Sequence, residues 1–182
     1  MASVFSHAAV ALTLGRIKTR RQAMPPRFWV LSVCCAALPD ADVVGFGLGI
    51  RYGDLLGHRG LSHALAFAVV VGVVVVSLAF RQERRFSRAW WALVAYFSIV
   101  TASHGVLDAL TNGGLGVAFF SPLDPTRYFF PWRPIQVSPI GVGSFFSEWG
   151  LRVILSELVW IGLPCLVVLL ALRIEKALRP QS

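Results

Sequence analysis

Polar positions in this chain fall between long apolar runs rather than alternating with them. Leu61 to Phe80 contains no formally charged residue, and Val69 to Val76 is almost entirely valine. About 20 residues rising 1.5 Å each cross a hydrocarbon core of about 30 Å. Ala89 to Leu110 is as long but carries His104 and Asp108 at its far end, and Leu151 to Leu172 holds Arg152 and Glu157 near its start. All three runs are expected to span a membrane. Ser3 to Leu14 and Phe28 to Leu38 are too short to cross alone and are expected to be short, tilted or re-entrant. The fold class that follows is all-α: a polytopic membrane helical bundle with three long spans and two shorter N-terminal apolar helices.

Composition agrees with this reading. The chain is 56% hydrophobic and 14% charged, whereas soluble domains average about 25% charged; a water-soluble globule is excluded. Its 182 residues suit one membrane-embedded domain spanning 1–182, with a Gly/Pro-rich outer loop at 111–150. That loop reads TNGG, SPLDP, FFPWRP and SPIG, and is expected to lie as a lid with Tyr128, Phe129, Phe130 and Trp132 at the headgroup level. Arg127 and Arg133 are expected to meet anionic headgroups or substrate, and Trp90, Trp91 and Trp160 to face lipid or the interface.

Charge sets the orientation. Arg16, Lys18, Arg20, Arg21 and Arg27 form one basic cluster, Arg81, Arg84, Arg85 and Arg88 a second, and Arg173, Lys176 and Arg179 a third. If successive helices alternate direction, all three fall on one face, which the positive-inside rule makes cytoplasmic. No basic residue precedes the first apolar run, the reverse of a signal peptide, so the N-terminus is placed outside. The net charge of +8 is then accounted for by topology and anionic lipid, with no nucleic-acid partner. Cys34, Cys35 and Cys165 lie in apolar helices and suggest no disulfide framework.

Four segments near the outer ends of these runs hold the candidate chemistry: His7, then Asp40 and Asp42 in LPDAD, then His58 and His63 in HRGLSH, then His104 and Asp108. An ionisable group at a helix centre in a membrane costs at least about 2.5 kcal/mol and is retained for a partner or an ion. His104 and Asp108 are one helical turn apart on one face. His58 and His63 would diverge by about 140° on one helix, so Gly60 must leave His58 in a loop while His63 enters the next helix. Pro39 ends the helix before it, so Asp40 and Asp42 are expected in an extended segment facing one site, unless one of them orients a histidine instead. The seven metal candidates are therefore His7, Asp40, Asp42, His58, His63, His104 and Asp108.

Mixed imidazole and carboxylate donors suit zinc, manganese or iron better than calcium or magnesium. One or two divalent transition-metal ions are expected, zinc first and manganese second, with open positions that activate water for hydrolysis. Asp40 and Arg59 are the candidate catalytic residues. The Arg59 fork either contacts a phosphoryl oxygen or pairs with a ligand carboxylate.

The ordered set His7, LPDAD, HRGLSH, HGVLD at 104–108 and FFPWRPIQVSPIG at 129–141 resembles the YdjM-like family of LexA-regulated, membrane-bound, predicted metal-dependent hydrolases. The resemblance implies a bacterial or archaeal inner-membrane protein with metal-dependent hydrolase activity and these His and Asp positions as ligands. The order of ligands is similar, more distantly, to bacterial zinc phospholipase C and the S1/P1 nucleases, which cleave phosphodiesters with three zinc ions. No histidine follows His104 in this chain, so a complete three-ion cluster is not expected. The reading is a hydrolase cleaving a phosphoester of a membrane lipid or lipid-linked substrate at the outer face. The alternatives are a divalent metal transporter or sensor, and a degenerate member with a structural metal only.

Overall fold

A computed structural model describes residues 1–20, 22–140 and 142–179. Arg21 of the first basic cluster, Gly141 of the loop motif and residues 180–182 lie outside the described residues. Among the described residues the fold is helical, with no β-strand beyond two isolated bridges.

Helix α1, Val4–Thr19, runs into the first basic cluster. Helix α2, Pro26–Ala37, starts at a proline whose missing N–H costs nothing in a first turn. It is followed by a 3₁₀ segment, Leu38–Val43, and by the short helix α3, Val44–Gly47. Pro39 explains the tightening, because it has no N–H to donate and its ring crowds the carbonyl four residues back. The rod nevertheless continues: Pro26–Gly47 is 22 residues long and apolar enough to cross a membrane. The proline thus reshapes this helix instead of ending it. Asp40 and Asp42 sit on a 3₁₀ turn, not on the extended segment expected.

Helix α4, Leu65–Ala79, is 15 residues long and shorter than the expected Leu61–Phe80. Ala64 is extended (ψ 150°), which separates α4 from a 3₁₀ turn at Leu61–His63. Helix α5, Arg88–Ala109, is capped by Ser87, whose Oγ accepts the Trp90 amide at 3.2 Å, and is a full-length span of 22 residues. It is the central element, burying Trp90, Phe97, Val100 and the two site residues His104 and Asp108. Trp90 is thus a core residue, while Trp91 and Trp160 are half-exposed as expected. Helices α4 and α5 approach closely at Gly72, where an added Cβ would stand 2.3 Å from Ser98 Oγ and 2.8 Å from the Val94 carbonyl.

After the outer loop and the single turn α6, Val142–Phe145, comes helix α7, Glu148–Glu157. A π-turn at Leu158–Gly162 leads directly into α8, Leu163–Leu178. Pro164 accounts for the wide turn, since the carbonyl four residues before it can receive no N–H and must be displaced. The continuous rod Glu148–Leu178 is 31 residues long and contains the expected span Leu151–Leu172. The fold class expected from the sequence therefore stands: a helical membrane bundle with three helices long enough to span. The membership differs: Pro26–Gly47, which contains the run Phe28 to Leu38 expected to be too short, is one of the three, and the expected span Leu61 to Phe80 is not, because its helix is only the 15 residues Leu65–Ala79.

One bundle end collects the start of α1, the end of α2, the start of α4 and the end of α5. The basic clusters lie at the other. The outer loop packs back over the first end, through Ala118 N–H to the Arg59 carbonyl (3.0 Å), Leu65 N–H to Phe119 O (2.9 Å) and Phe130 N–H to Ala109 O (3.1 Å). Tyr128, Phe130 and Trp132 remain partly exposed along it. Arg127 turns inward, its guanidinium donating to the carbonyls of His58 (2.9 Å), Tyr52 (3.0 Å) and Asp54 (3.3 Å). It pins the loop to the HRGLSH segment and does not reach toward headgroups. Arg133 lies over the Phe129 ring at 4.7 Å.

Candidate metal centre

The site is assembled from four segments around His63. Gly60 permits the turn that delivers it, since a Cβ there would fall 2.3 Å from the Leu55 carbonyl. His58 stays in the loop while His63 closes the 3₁₀ turn before α4. Between them Arg59 adopts φ 62°, a left-handed conformation unusual for a residue with a side chain and held here by complete burial.

Four side-chain atoms converge. His104 Nε2 lies 3.2 Å from Asp40 Oδ1 and 4.0 Å from Asp108 Oδ2; His63 Nε2 lies 3.8 Å and 3.6 Å from the same two oxygens. All four atoms are buried; Asp40 Oδ1, His63 Nε2 and His104 Nε2 make no hydrogen bond, and Asp108 Oδ2 meets the Arg59 guanidinium at 2.9 Å. Bonds of about 2.0 Å at tetrahedral angles would set neighbouring donors about 3.3 Å apart; the four donors lie within 4.8 Å of one another, close enough to draw in around one transition-metal ion.

The ring nitrogens on the far sides are occupied. His104 Nδ1 faces the Ala36 carbonyl at 2.7 Å, an acceptor only, so this nitrogen carries the hydrogen and Nε2 the lone pair. His63 Nδ1 faces Ser62 Oγ at 2.9 Å and Asp42 Oδ2 at 3.2 Å, and the Ser62 hydroxyl donates to Asp42 Oδ2 at 2.6 Å. His58 Nδ1 meets Asp42 Oδ1 at 2.7 Å, and the Arg59 amide adds a fourth donor to the same carboxylate at 3.2 Å. Asp42 is therefore engaged behind the histidines, and it is Asp40 that points between them. On a 3₁₀ turn residues two apart diverge, which is how Asp40 and Asp42 address opposite sides of one imidazole.

His58 and His7 stand at the edge of the four-atom group. His58 Nε2 is buried and unpartnered, its ring packed edge-on to His63 (5.5 Å between centroids) and to Tyr52 (5.1 Å). Burial raises the Tyr52 hydroxyl above its ordinary value, so it remains a phenol. His7 stacks on His104 at 3.7 Å with planes 10° apart, its Nε2 3.7 Å from Asp108 Oδ1, and both its ring nitrogens lack partners. All seven sequence candidates are thus brought to one bundle end, with the four convergent donors at the centre.

Arg59 does not open onto a substrate position. Its Nε lies 2.9 Å from Asp108 Oδ2, Nη1 donates to the Gly113 carbonyl at 2.9 Å, and Nη2 to Thr111 Oγ1 at 3.1 Å. Of the two contacts the sequence left open, the structure shows the ion pair, with the candidate-ligand carboxylate of Asp108. With neutral imidazoles, the three carboxylates Asp40, Asp42 and Asp108 outnumber Arg59 and the buried N-terminal ammonium, leaving an excess of one negative charge in a buried cluster. An excess of that kind is costly in a low dielectric and is what a divalent cation offsets.

Sequence reasoning did not identify Ser62, Ala36 or Thr111 as supporting groups. Nor did it foresee that the Ala2 amide donates to Asp108 Oδ1 at 2.7 Å and the Ser3 amide and hydroxyl to Glu157. Ser62 lies inside HRGLSH and Glu157 is an acid within an apolar span, so both left a signal. A backbone carbonyl such as that of Ala36 leaves none.

The inner membrane protein YbcI of Escherichia coli (strain K12) is 37% identical over 170 residues, covering 93% of this chain and 95% of that protein. No solved structure matches the chain. The sequence profile of the YdjM inner membrane protein family matches residues 1–178, and the chain belongs to that family.

Proposed function

We propose that this multi-pass inner membrane protein is a metal-dependent hydrolase that cleaves a phosphoester of a lipid or lipid-linked substrate at the outer face of the membrane. The observation that carries the reading is the convergence of four buried donor atoms, two imidazole and two carboxylate, at one end of the bundle, three of them without a hydrogen bond and the fourth paired with Arg59. Asp40, His63, His104 and Asp108 would hold one ion, and zinc or manganese matches their chemistry. A divalent ion there supplies Lewis acidity and lowers the pKa of a water it binds.

The residues around it have distinct tasks. Asp42 holds His63 and His58 in the tautomer that leaves Nε2 free. Arg59 balances Asp108 and ties the 111–113 loop to it. Asp40, with 14% of its side chain exposed, is the least buried of the four donors and marks the side from which water and substrate enter. In this reading the second carboxylate oxygen of Asp40 would accept the proton that water loses in attacking the ester.

The outer location follows from the basic clusters at the opposite end. A lipid substrate is the reading's choice because the site lies at the ends of membrane-spanning helices, beneath the loop 111–140, where a substrate held in the bilayer arrives more readily than one from water. Beneath it the core is mainly apolar, with Phe28, Phe97, Val100, Val71 and Val76; its polar groups are hydroxyls such as Ser32, Tyr96 and Thr101, and among the described residues it holds no buried carboxylate or imidazole, which disfavours transport.

The test is a panel of phospholipids, isoprenoid phosphates and nucleotides in detergent, with and without chelator, comparing the parent with Asp40→Asn. Chelator-sensitive turnover of a lipid phosphoester, lost in Asp40→Asn with metal and fold retained, is the expected result. Metal-loaded protein that cleaves nothing, while proteoliposomes accumulate the ion, replaces hydrolysis with transport.

A further inference from the structure

A second site lies at the opposite end of the bundle, between α1 and α8. Arg16 and Arg20 from the end of α1 and Arg173, Lys176 and Arg179 from the end of α8 surround a cavity of about 400 Å³ together with Glu175. Glu175 pairs with Arg20 at 3.8 Å and with Arg179 at 2.5 Å. One carboxylate among five cations leaves the cavity strongly positive. Arg16 is braced over the Trp29 ring at 4.9 Å, and among the described residues Arg16, Arg173 and Lys176 have no carboxylate partner. Helices α1 and α8 end side by side there, so their last carbonyls do not repel the cations they carry.

The mouth does not end in solvent. It shares Arg16 and Leu169 with a second cavity of about 670 Å³ that continues along the same two helices, walled by Leu12, Thr13, Trp29, Cys165 and Leu166. From Arg173 back to Gly162, eleven residues at 1.5 Å per residue give a groove roughly 16 Å long. A free anion needs only the mouth. A cationic mouth opening into an apolar groove of that length, both facing the membrane side of a bundle, matches an amphiphile with an anionic head and a long hydrocarbon tail.

We infer that the α1–α8 crevice binds one anionic phospholipid from the cytoplasmic leaflet, its phosphate among Arg16, Arg173 and Lys176 and one acyl chain along the groove toward Gly162. Basic pockets between spanning helices on that side are where anionic headgroups are held, each cation contributing about 1 kcal/mol near the surface. The lipid bridges α1, which carries His7, to α8. It is separate from the metal centre and from any substrate bound there.

The experiment uses the full chain in neutral detergent, with binding read by native mass spectrometry and by shift in melting temperature. The probes are dioleoyl phosphatidylglycerol, dioleoyl phosphatidylcholine, dihexanoyl phosphatidylglycerol and inorganic phosphate. The long-chain anionic lipid should bind roughly tenfold or more tighter than the zwitterionic one, from the cations at the mouth. It should also bind tighter than its short-chain analogue, and millimolar phosphate should not displace it. Arg173→Ala with Lys176→Ala, both at exposed positions, should weaken binding roughly thirtyfold and leave metal content unchanged. Equal binding of the two long-chain lipids, undiminished binding by the double variant, or displacement by phosphate overturns the inference. The headgroup and tail comparisons need only the unaltered protein, so they decide the matter even if the double variant does not fold.

Discussion

Asp42 stands behind His63: its Oδ2 lies 3.2 Å from Nδ1, while Nε2 of the same ring faces Asp40 Oδ1 at 3.8 Å and Asp108 Oδ2 at 3.6 Å. The other oxygen of Asp42 holds His58 Nδ1 at 2.7 Å. One carboxylate therefore fixes the tautomer of two imidazoles. The site has an inner set of donors and a layer that aims them.

Asp42→Asn tests that layering. The substitution keeps the volume but gives the two Nδ1–H groups one carbonyl oxygen and an amide that donates. Outer partners of this kind are worth about 10- to 100-fold in metal affinity. Chelator competition should show a fall of that size with the ion still bound at saturation, whereas His104→Ala or Asp108→Ala should lower the stoichiometry itself. If Asp42→Asn loses the ion as completely as Asp108→Ala does, Asp42 is a direct ligand.

Arg59 gives a stability prediction. Its guanidinium and Asp108 are both fully buried and 2.9 Å apart. Removing one member of such a pair leaves the other charge uncompensated, at about 3–5 kcal/mol. Arg59→Met should lower the metal-free melting temperature sharply, and the double change with Asp108→Asn should recover much of the loss. Added metal should also restore Arg59→Met more than the parent, since the ion replaces the missing positive charge. A nearly unchanged melting temperature in the single variant would contradict the pairing.

How much of this was legible depends on what each feature leaves in the letters. The His and Asp residues were readable because an ionisable group beside apolar sequence is expensive and conspicuous. The i, i+4 spacing of His104 and Asp108 fixed a shared face as soon as the helix was identified. The roles of Asp40 and Asp42 were not separable, since that depends on a 3₁₀ turn which Pro39 tightens without ending the rod. Arg59 carried two readings, and only its three-dimensional partners, Asp108, Gly113 and Thr111, distinguish them. Leu61 to Phe80 looked like the clearest span, yet hydropathy is blind to the break at Ala64, which exists to deliver His63.

The alternation of helix directions predicts labelling. Single cysteines at Ser87 and Ser121, in a background lacking Cys34, Cys35 and Cys165, should react from opposite faces of intact cells. Ser87 caps α5 beside the basic segment and should be protected from an impermeant reagent. Ser121 lies in the loop over the candidate metal site, and its side chain is buried, so the exposed Leu123, replaced by cysteine, is the better reporter of that side. Ser182, a natural third probe for the cytoplasmic end, lies outside the described residues. Labelling of both positions from the same face would sink the helix assignment.

Glu157 yields the last test. It is buried at the end of α7, next to the π-turn, and accepts both the amide of Ser3, at 2.5 Å, and its hydroxyl. One residue earlier, the Ala2 amide donates to Asp108 Oδ1 at 2.7 Å. Two consecutive residues thus fasten α5 and α7 to the start of α1, which holds His7 over His104. Glu157→Gln keeps one acceptor oxygen and places an amide donor against the Ser3 hydroxyl, so a loss of about 1–3 kcal/mol is expected from the unsatisfied buried group. Ser3→Ala removes a single hydroxyl and should cost less. Both variants should bind metal with parent stoichiometry, because none of the four convergent donors is touched. Loss of the ion in Glu157→Gln with an unchanged melting temperature would instead make Glu157 part of the metal site.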